Sequence, residues 1–284
     1  IRNLYPPRTN IMQGHCKILG PYGWEESSFS KNYINQFNRN LSYLACMSNY
    51  VKKVMIANGL QIPAVVTHIG VDHILKDKKK KLKNYNIPKD KFILLHISSC
   101  FPRKGADILV ELFADLTQEY DDIYLIIKTF NNPHNNISEQ ISSLNDEVKN
   151  KILLISEDLP QSEINYLYSI ANALIAPSFG EGFGLPLAEA MLFETPVVTT
   201  AYSGQLDFCN EENSWLVDYD FEPSKSHMNL FNSYWANPKK ESIKAQILDI
   251  YNSDDKKINK KTQKAKQNIL QNFTWNKVSQ NLIE

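Results

Sequence analysis

Two pairs of charged residues offer the most direct chemistry in this chain: the acids Glu181 and Glu189, and the cations Arg103 and Lys104. The acids lie in Gly180-Glu181-Gly182-Phe183-Gly184-Leu185-Pro186-Leu187-Ala188-Glu189. A carboxylate accepts hydrogen bonds from paired hydroxyls, which suits the diols of sugars and ribose. Glycines at 180, 182 and 184 let the backbone approach a ligand closely. Pro186 suits the first turn of a helix, whose open N–H groups and positive dipole end favour phosphate or sugar oxygens. Glu189 follows Pro186 by three residues and shares the helix face above the loop. The plainer alternative makes Glu181 a loop acid and Glu189 a complement to the helix dipole. The cations lie in Ser98-Ser99-Cys100-Phe101-Pro102-Arg103-Lys104-Gly105, ahead of a helical pattern. Two cations at a helix start oppose its dipole unless an anion is bound, and a diphosphate resolves that conflict. The alternative is a pair of solvated surface cations.

Both loops need strands to position them. Short apolar runs at 41–47, 64–68, 92–97, 123–127, 152–155, 173–176 and 196–199 read as buried parallel strands. Helical patterns fall at 30–39, 106–119, 138–149, 162–171 and 186–193. This alternation predicts an α/β fold: a complete, doubly wound parallel-sheet domain preceded by a partial Rossmann-like one. Residues 1–75 read as the trailing part of the partial domain, 76–90 as a linker, and 91–260 as the complete Rossmann-like domain. Residues 261–284 read as a C-terminal helix packing back toward the N-terminal part. The last 60 or so residues, from Ser226, read as helical, with Trp235 and Trp275 as packing anchors. Each charged loop follows a strand, so both fall at the sheet's carboxyl edge, where ligand crevices form.

Composition narrows the function classes. Lys plus Arg is 31 and Asp plus Glu is 31, so the basic excess of a general nucleic-acid binder is absent. No apolar run reaches the ~18 residues of a membrane span, and the polar, Pro-rich opening does not read as a signal peptide. The 4 cysteines have no paired spacing, and the 6 histidines no metal-ligand spacing. Free thiols in a cytoplasmic protein without a protein-bound metal are therefore expected. The run Lys76-Asp77-Lys78-Lys79-Lys80-Lys81-Leu82-Lys83 reads as a solvated linker helix, with attraction to anionic lipid as the functional alternative.

The stretch 180–191, the Arg-Lys-Gly loop, and Thr195-Pro196-Val197-Val198 followed by Tyr202-Ser203-Gly204 resemble the retaining glycosyltransferases of family 4, group 1 type. The resemblance runs from about Tyr5 to Trp275 and implies a two-domain GT-B fold. It implies an enzyme that transfers a sugar from a nucleoside-diphosphate donor to a glycan or lipid-linked acceptor, with retention of configuration and no metal or other cofactor. Glu181 would hold sugar hydroxyls beside the N–H groups of Gly182, Phe183 and Gly184, and Leu185 N–H would reach the diphosphate. Glu189 would bind the ribose diol, Arg103 and Lys104 would neutralise the leaving diphosphate, and Leu159 would flank the base. Many relatives place an Arg near Ser98, so the clamp here rests on fewer charges. On the acceptor side the candidates are Trp24, to stack on a sugar, and Glu25 and Glu26, to orient a hydroxyl; a buried Trp with solvated acids is the alternative. The implied setting is polysaccharide biosynthesis in the cytoplasm, with peripheral association at the inner membrane face, as part of a longer polypeptide. Two competing readings are a non-catalytic nucleotide-sugar-binding half-module and a dinucleotide-dependent oxidoreductase. The latter requires a GxGxxG after an early strand, whereas the glycine loop here follows a late one.

Overall fold

The computed structural model describes residues 1–284 apart from Arg2, Leu4, Tyr5, His227, Asn229 and Glu284, so Tyr5 lies outside the described residues. The N-terminal part runs β1 (Ile18–Tyr22), α1 (Lys31–Asn40), β2 (Tyr43–Cys46), α2 (Asn49–Ala57) and β3 (Ala64–Val66), and its strands form a parallel sheet in the order β1-β2-β3. Ser48 caps α2 by accepting the Val51 N–H at 3.2 Å.

The larger part alternates β4 (Phe92–Ile97), α3 (Ala106–Leu116), β5 (Ile123–Lys128), α4 (Ile137–Ser142), α5 (Asp146–Lys149) and β6 (Ile152–Ile155). It continues with α6 (Gln161–Ile170), β7 (Ala173–Ala176), α7 (Leu185–Leu192), β8 (Val197–Thr200) and β9 (Trp215–Val217). A hairpin of β10 (Tyr219–Pro223) and β11 (Tyr234–Pro238) follows, then α8 (Lys240–Tyr251), α9 (Asp255–Asn272) and α10 (Trp275–Ile283). The six-stranded sheet is parallel throughout, in the order β6-β5-β4-β7-β8-β9. Apolar clusters cover both faces, one including Leu167, Met191 and Ile269, the other Leu109, Phe113 and Ile247. Such two-sided burial is what continuous apolar strands demand.

The chain adds strands outward from β4 to β6, then returns to β7 and builds the other way. The winding therefore reverses between β4 and β7, and the loops that diverge there open a crevice at the carboxyl edge. Those two loops are 98–105 and 177–184.

Several expectations need correction. The Lys-rich run forms no helix beyond the turn Asp72–Lys76. Like charges three and four apart repel on a helix, and here the segment is tied down extended instead. Asn165 Nδ2 donates to the carbonyls of Ile74 and Asp77, and Lys80 N–H donates to the Ser162 carbonyl. The stretch after Ser226 opens with a strand rather than a helix: Trp235 and Asn237 alternate onto one face and both donate to Glu222. The 138–149 helix breaks in two because Asn145 starts a new cap on Val148 N–H. Trp235 is a buried anchor, but Trp275 is 44% exposed and instead ties residues 72–73 to α10 through its two N–H groups. No helix of the described residues is long and apolar enough to cross a membrane.

Candidate active site

Pro102–Lys104 forms a single tight turn, and α3 starts only after Gly105. Arg103 and Lys104 are thus one turn ahead of the helix rather than on it. Gly105 has φ +65°, and a Cβ there would lie 2.2 Å from the Pro177 carbonyl oxygen at the end of β7. That glycine lets the β4 and β7 loops touch. Phe179 N–H donates to the Arg103 carbonyl at 2.8 Å, and the Arg103 guanidinium donates to the Gly180 carbonyl at 3.2 Å.

This stitching delivers Lys104 to Glu181, with Nζ donating to Oε1 at 2.5 Å. Ser178 Oγ donates to the same oxygen at 2.7 Å, and Arg103 Nη1 lies 3.7 Å from Oε2. Glu181 is 5% exposed. Burial alone raises its carboxyl, but the Lys104 and Arg103 cations outweigh that and hold it below the usual carboxylate range. The pair is therefore carboxylate against ammonium. Glu181 N–H donates to Ser203 Oγ at 2.8 Å, and Gly204 N–H to the Glu181 carbonyl at 2.9 Å. The Tyr202-Ser203-Gly204 motif thus supports the glycine loop from below.

Gly184 takes the left-handed conformation that starts α7. Among the described residues, the N–H groups of Gly182, Phe183, Gly184 and Leu185 have no backbone acceptor. They converge with Lys104 and Glu181 on a cleft of about 360 Å³, walled on the other side by Gly23, Met47 and Ile69 of the N-terminal part. Open N–H groups, a helix N-terminus and a cation form an anion site, and the buried carboxylate beside them is a hydroxyl acceptor. The Phe183 side chain faces away, 3% exposed and packed near Phe208 and Phe273.

The remaining candidates spread around this centre. Glu189 stands on α7 one helical turn beyond Leu185, where its Oε2 accepts the Tyr168 hydroxyl at 2.8 Å; burial pushes its carboxyl up. Leu159 is half-buried beyond β6. Glu25 forms an ion pair with Arg103 at 3.1 Å and so joins the N-terminal part to the cation loop. Glu26 is 3% exposed and accepts Ser233 Oγ at 2.6 Å, which fastens the β10–β11 hairpin to residues 26–28. Trp24 is 5% exposed, packed on Phe29 with its indole N–H donating to the Ser28 carbonyl, and borders a second cavity of about 280 Å³. Arg103, Glu25 and Gly23 line both cavities.

Sequence reading missed the support beneath the cation loop. His96 on β4 is buried; its Nδ1 donates to the Ile175 carbonyl at 2.7 Å, which leaves Nε2 to accept from Ser98 Oγ at 2.7 Å. Ser98 Oγ accepts the Cys100 N–H at 2.9 Å. Burial pushes the His96 imidazole down to about 4, so it is a weak base near neutrality and holds the loop rather than activating Ser98. The unfolded His binds a proton near pH 6.5 and the folded one only near 4, so the unfolded state holds more protons in between. Stability is full above pH 7 and falls as pH drops through that window, by about 3 kcal/mol at pH 4. Urea unfolding of wild type and His96→Gln between pH 7 and pH 4 will show a difference that narrows on acidification.

Fold and cleft together define the two-sheet α/β class that holds its ligand at the carboxyl ends of parallel strands. The chain belongs to the glycosyl transferases group 1 family, whose model matches residues 77–269. It is 26% identical over 247 residues to the O-antigen chain mannosyltransferase RfbU of Salmonella typhimurium, covering 81% of this chain and 66% of that protein. It is 25% identical over 145 residues to the capsular polysaccharide biosynthesis glycosyltransferase CapM of Staphylococcus aureus, covering 51% of this chain and 37% of that protein. The chain thus spans less than two thirds of these relatives' own length. Its fold is that of a Rickettsia africae glycosyltransferase (TM-score 0.68, 22% identity, 90% of this chain and 66% of that one). It is also that of Anabaena HepE solved with UDP and glucose (TM-score 0.65, 18% identity, 90% of this chain and 66% of that one).

Proposed function

We propose that the protein transfers a sugar from a nucleoside-diphosphate donor to a hydroxyl of a glycan or lipid-linked acceptor. Transfer is metal-independent and retains the anomeric configuration, as in glycosyltransferase family 4. The observation that carries this reading is the contact of Lys104 with Glu181 beside open N–H groups at the switch point. The diphosphate takes Lys104, Arg103 and the Leu185 N–H. The sugar hydroxyls take Glu181 with the N–H groups of Gly182, Phe183 and Gly184. Glu189 binds the ribose diol, Ser98 lies beside the phosphates, and Leu159 flanks the base. The acceptor hydroxyl approaches from the side of Trp24, Glu25 and Glu26. Catalysis comes from stabilising the charge that grows on the leaving diphosphate and from holding the acceptor in place.

Residues 1–75 are the trailing part of an acceptor-side domain within a longer polypeptide, a reading supported by the partial coverage of the relatives. The O-antigen and capsule enzymes among those relatives favour cell-envelope polysaccharide assembly, at the cytoplasmic face of the membrane. The test is a thermal-shift screen against UDP-, GDP-, ADP- and dTDP-sugars, followed by a transfer assay. One donor class will raise the melting temperature, because a ligand at 100 times its Kd adds about 2.7 kcal/mol. No shift with any donor defeats the proposal. Binding without turnover supports the non-catalytic half-module instead.

A further inference from the structure

Lys128 closes β5 at the carboxyl edge, yet no step above uses it. It is 8% exposed. Its ammonium donates to the Thr129 carbonyl at 2.5 Å, and among the described residues no carboxylate pairs with it within 4.0 Å. The charged groups that act on it from beyond that distance are Asp158 and Glu157, after β6; on the β4 side its neighbour is the Cys100 thiol, which burial keeps protonated. Glu157 is already engaged by the Tyr85 hydroxyl at 3.0 Å. Desolvation lowers the Lys128 ammonium, the expected result for a buried cation short of partners.

Its address in the sheet is specific. Lys128 is in register with Ile97 on β4 and Ile155 on β6, and its carbonyl accepts the Ser98 N–H at 3.1 Å. It therefore sits between the cation loop and the loop carrying Leu159. Ser98 brings no charge to that strand end. A buried lysine whose hydrogen-bond acceptor is a carbonyl, with its carboxylates beyond ion-pair distance, is costly unless an anion comes closer to neutralise it.

We propose that Lys128 is a third donor-site cation and binds the phosphate nearer the nucleoside, while Lys104 and Arg103 take the phosphate nearer the sugar. This rests on the nucleoside-diphosphate reading of the cleft. The ligand chemistry is a phosphate oxygen, and a base carbonyl is the competing occupant.

The test is isothermal titration of wild type, Lys128→Met and Lys128→Gln with the nucleoside diphosphate that stabilises the protein, and with the matching nucleoside. Both variants will bind the diphosphate about 10- to 100-fold more weakly, the scale of one charge-assisted hydrogen bond. Nucleoside affinity will not change. Lys128→Met will also melt at or above wild type, because an apolar side chain of similar length removes a desolvated charge. Unchanged diphosphate affinity overturns the proposal. So does an equal loss for nucleoside and diphosphate, which marks a base contact. A wild type that binds no nucleoside diphosphate overturns the underlying reading as well, so the two failures are distinct.

Discussion

Lys104→Ala is expected to lower sugar transfer by about 10²- to 10³-fold, the loss seen when one donor to a developing negative charge is removed. The effect falls on turnover because the diphosphate gains charge as its bond to the sugar breaks. Lys104→Arg, which keeps the charge, will recover part of the rate. Glu181→Ala will lower transfer comparably through lost orientation of the sugar. Donor hydrolysis, measured beside transfer, will fall with it in Lys104→Ala. Full activity in both alanine variants removes the assigned roles.

Stability must be separated from catalysis here, because the two residues form a buried ion pair. Removing one partner strands the other and costs several kcal/mol. Lys104→Ala still leaves Arg103 near the carboxylate, so its loss will be smaller than that of Glu181→Ala, which strands Lys104 beside Arg103. The double variant Lys104→Met/Glu181→Leu removes both charges and will recover stability without activity. Urea unfolding of the three variants beside the transfer assay reads both quantities.

Gly105→Ala is the second large effect. A Cβ at this position meets the Pro177 carbonyl at 2.2 Å, and neither partner is a side chain that can swing away. The β4 and β7 loops must part, which moves Lys104 off Glu181. We expect a loss of about 3 kcal/mol or more, and a melting temperature lower by about 6–12 °C. Gly105→Asn, which tolerates the left-handed backbone, will not rescue the protein, because the obstacle is contact and not φ. Rescue by asparagine refutes this account of how the loops are stitched.

Much of the larger sheet was legible because its strands are buried on both faces and read as unbroken apolar runs; 92–97, 152–155 and 173–176 match β4, β6 and β7. The three-residue β9 was too short to read, the apolar run of β1 is broken by Gly20 and Pro21, and the hairpin escaped because its apolar residues are interleaved with polar ones. Tyr219–Pro223 and Tyr234–Pro238 are strands through tertiary contact, chiefly Trp235 on Phe179 and Ser233 on Glu26. The helix α2 carried a readable signal in Ser48 and the apolar spacing of Val51, Val54 and Met55. In the site, charges flanked by glycines marked the two loops. The loops' meeting point was hidden, because it depends on strand order rather than on sequence spacing. His96 and Lys128 were invisible for the same reason: each lies inside an apolar strand and gains meaning only from its neighbours across the sheet.

The most direct test of the shared crevice is titration of the stabilising nucleoside diphosphate into wild type and Lys104→Ala. The account predicts one ligand per chain and at least a tenfold weaker complex in the variant. Equal affinity for both proteins, or no binding to either, contradicts it.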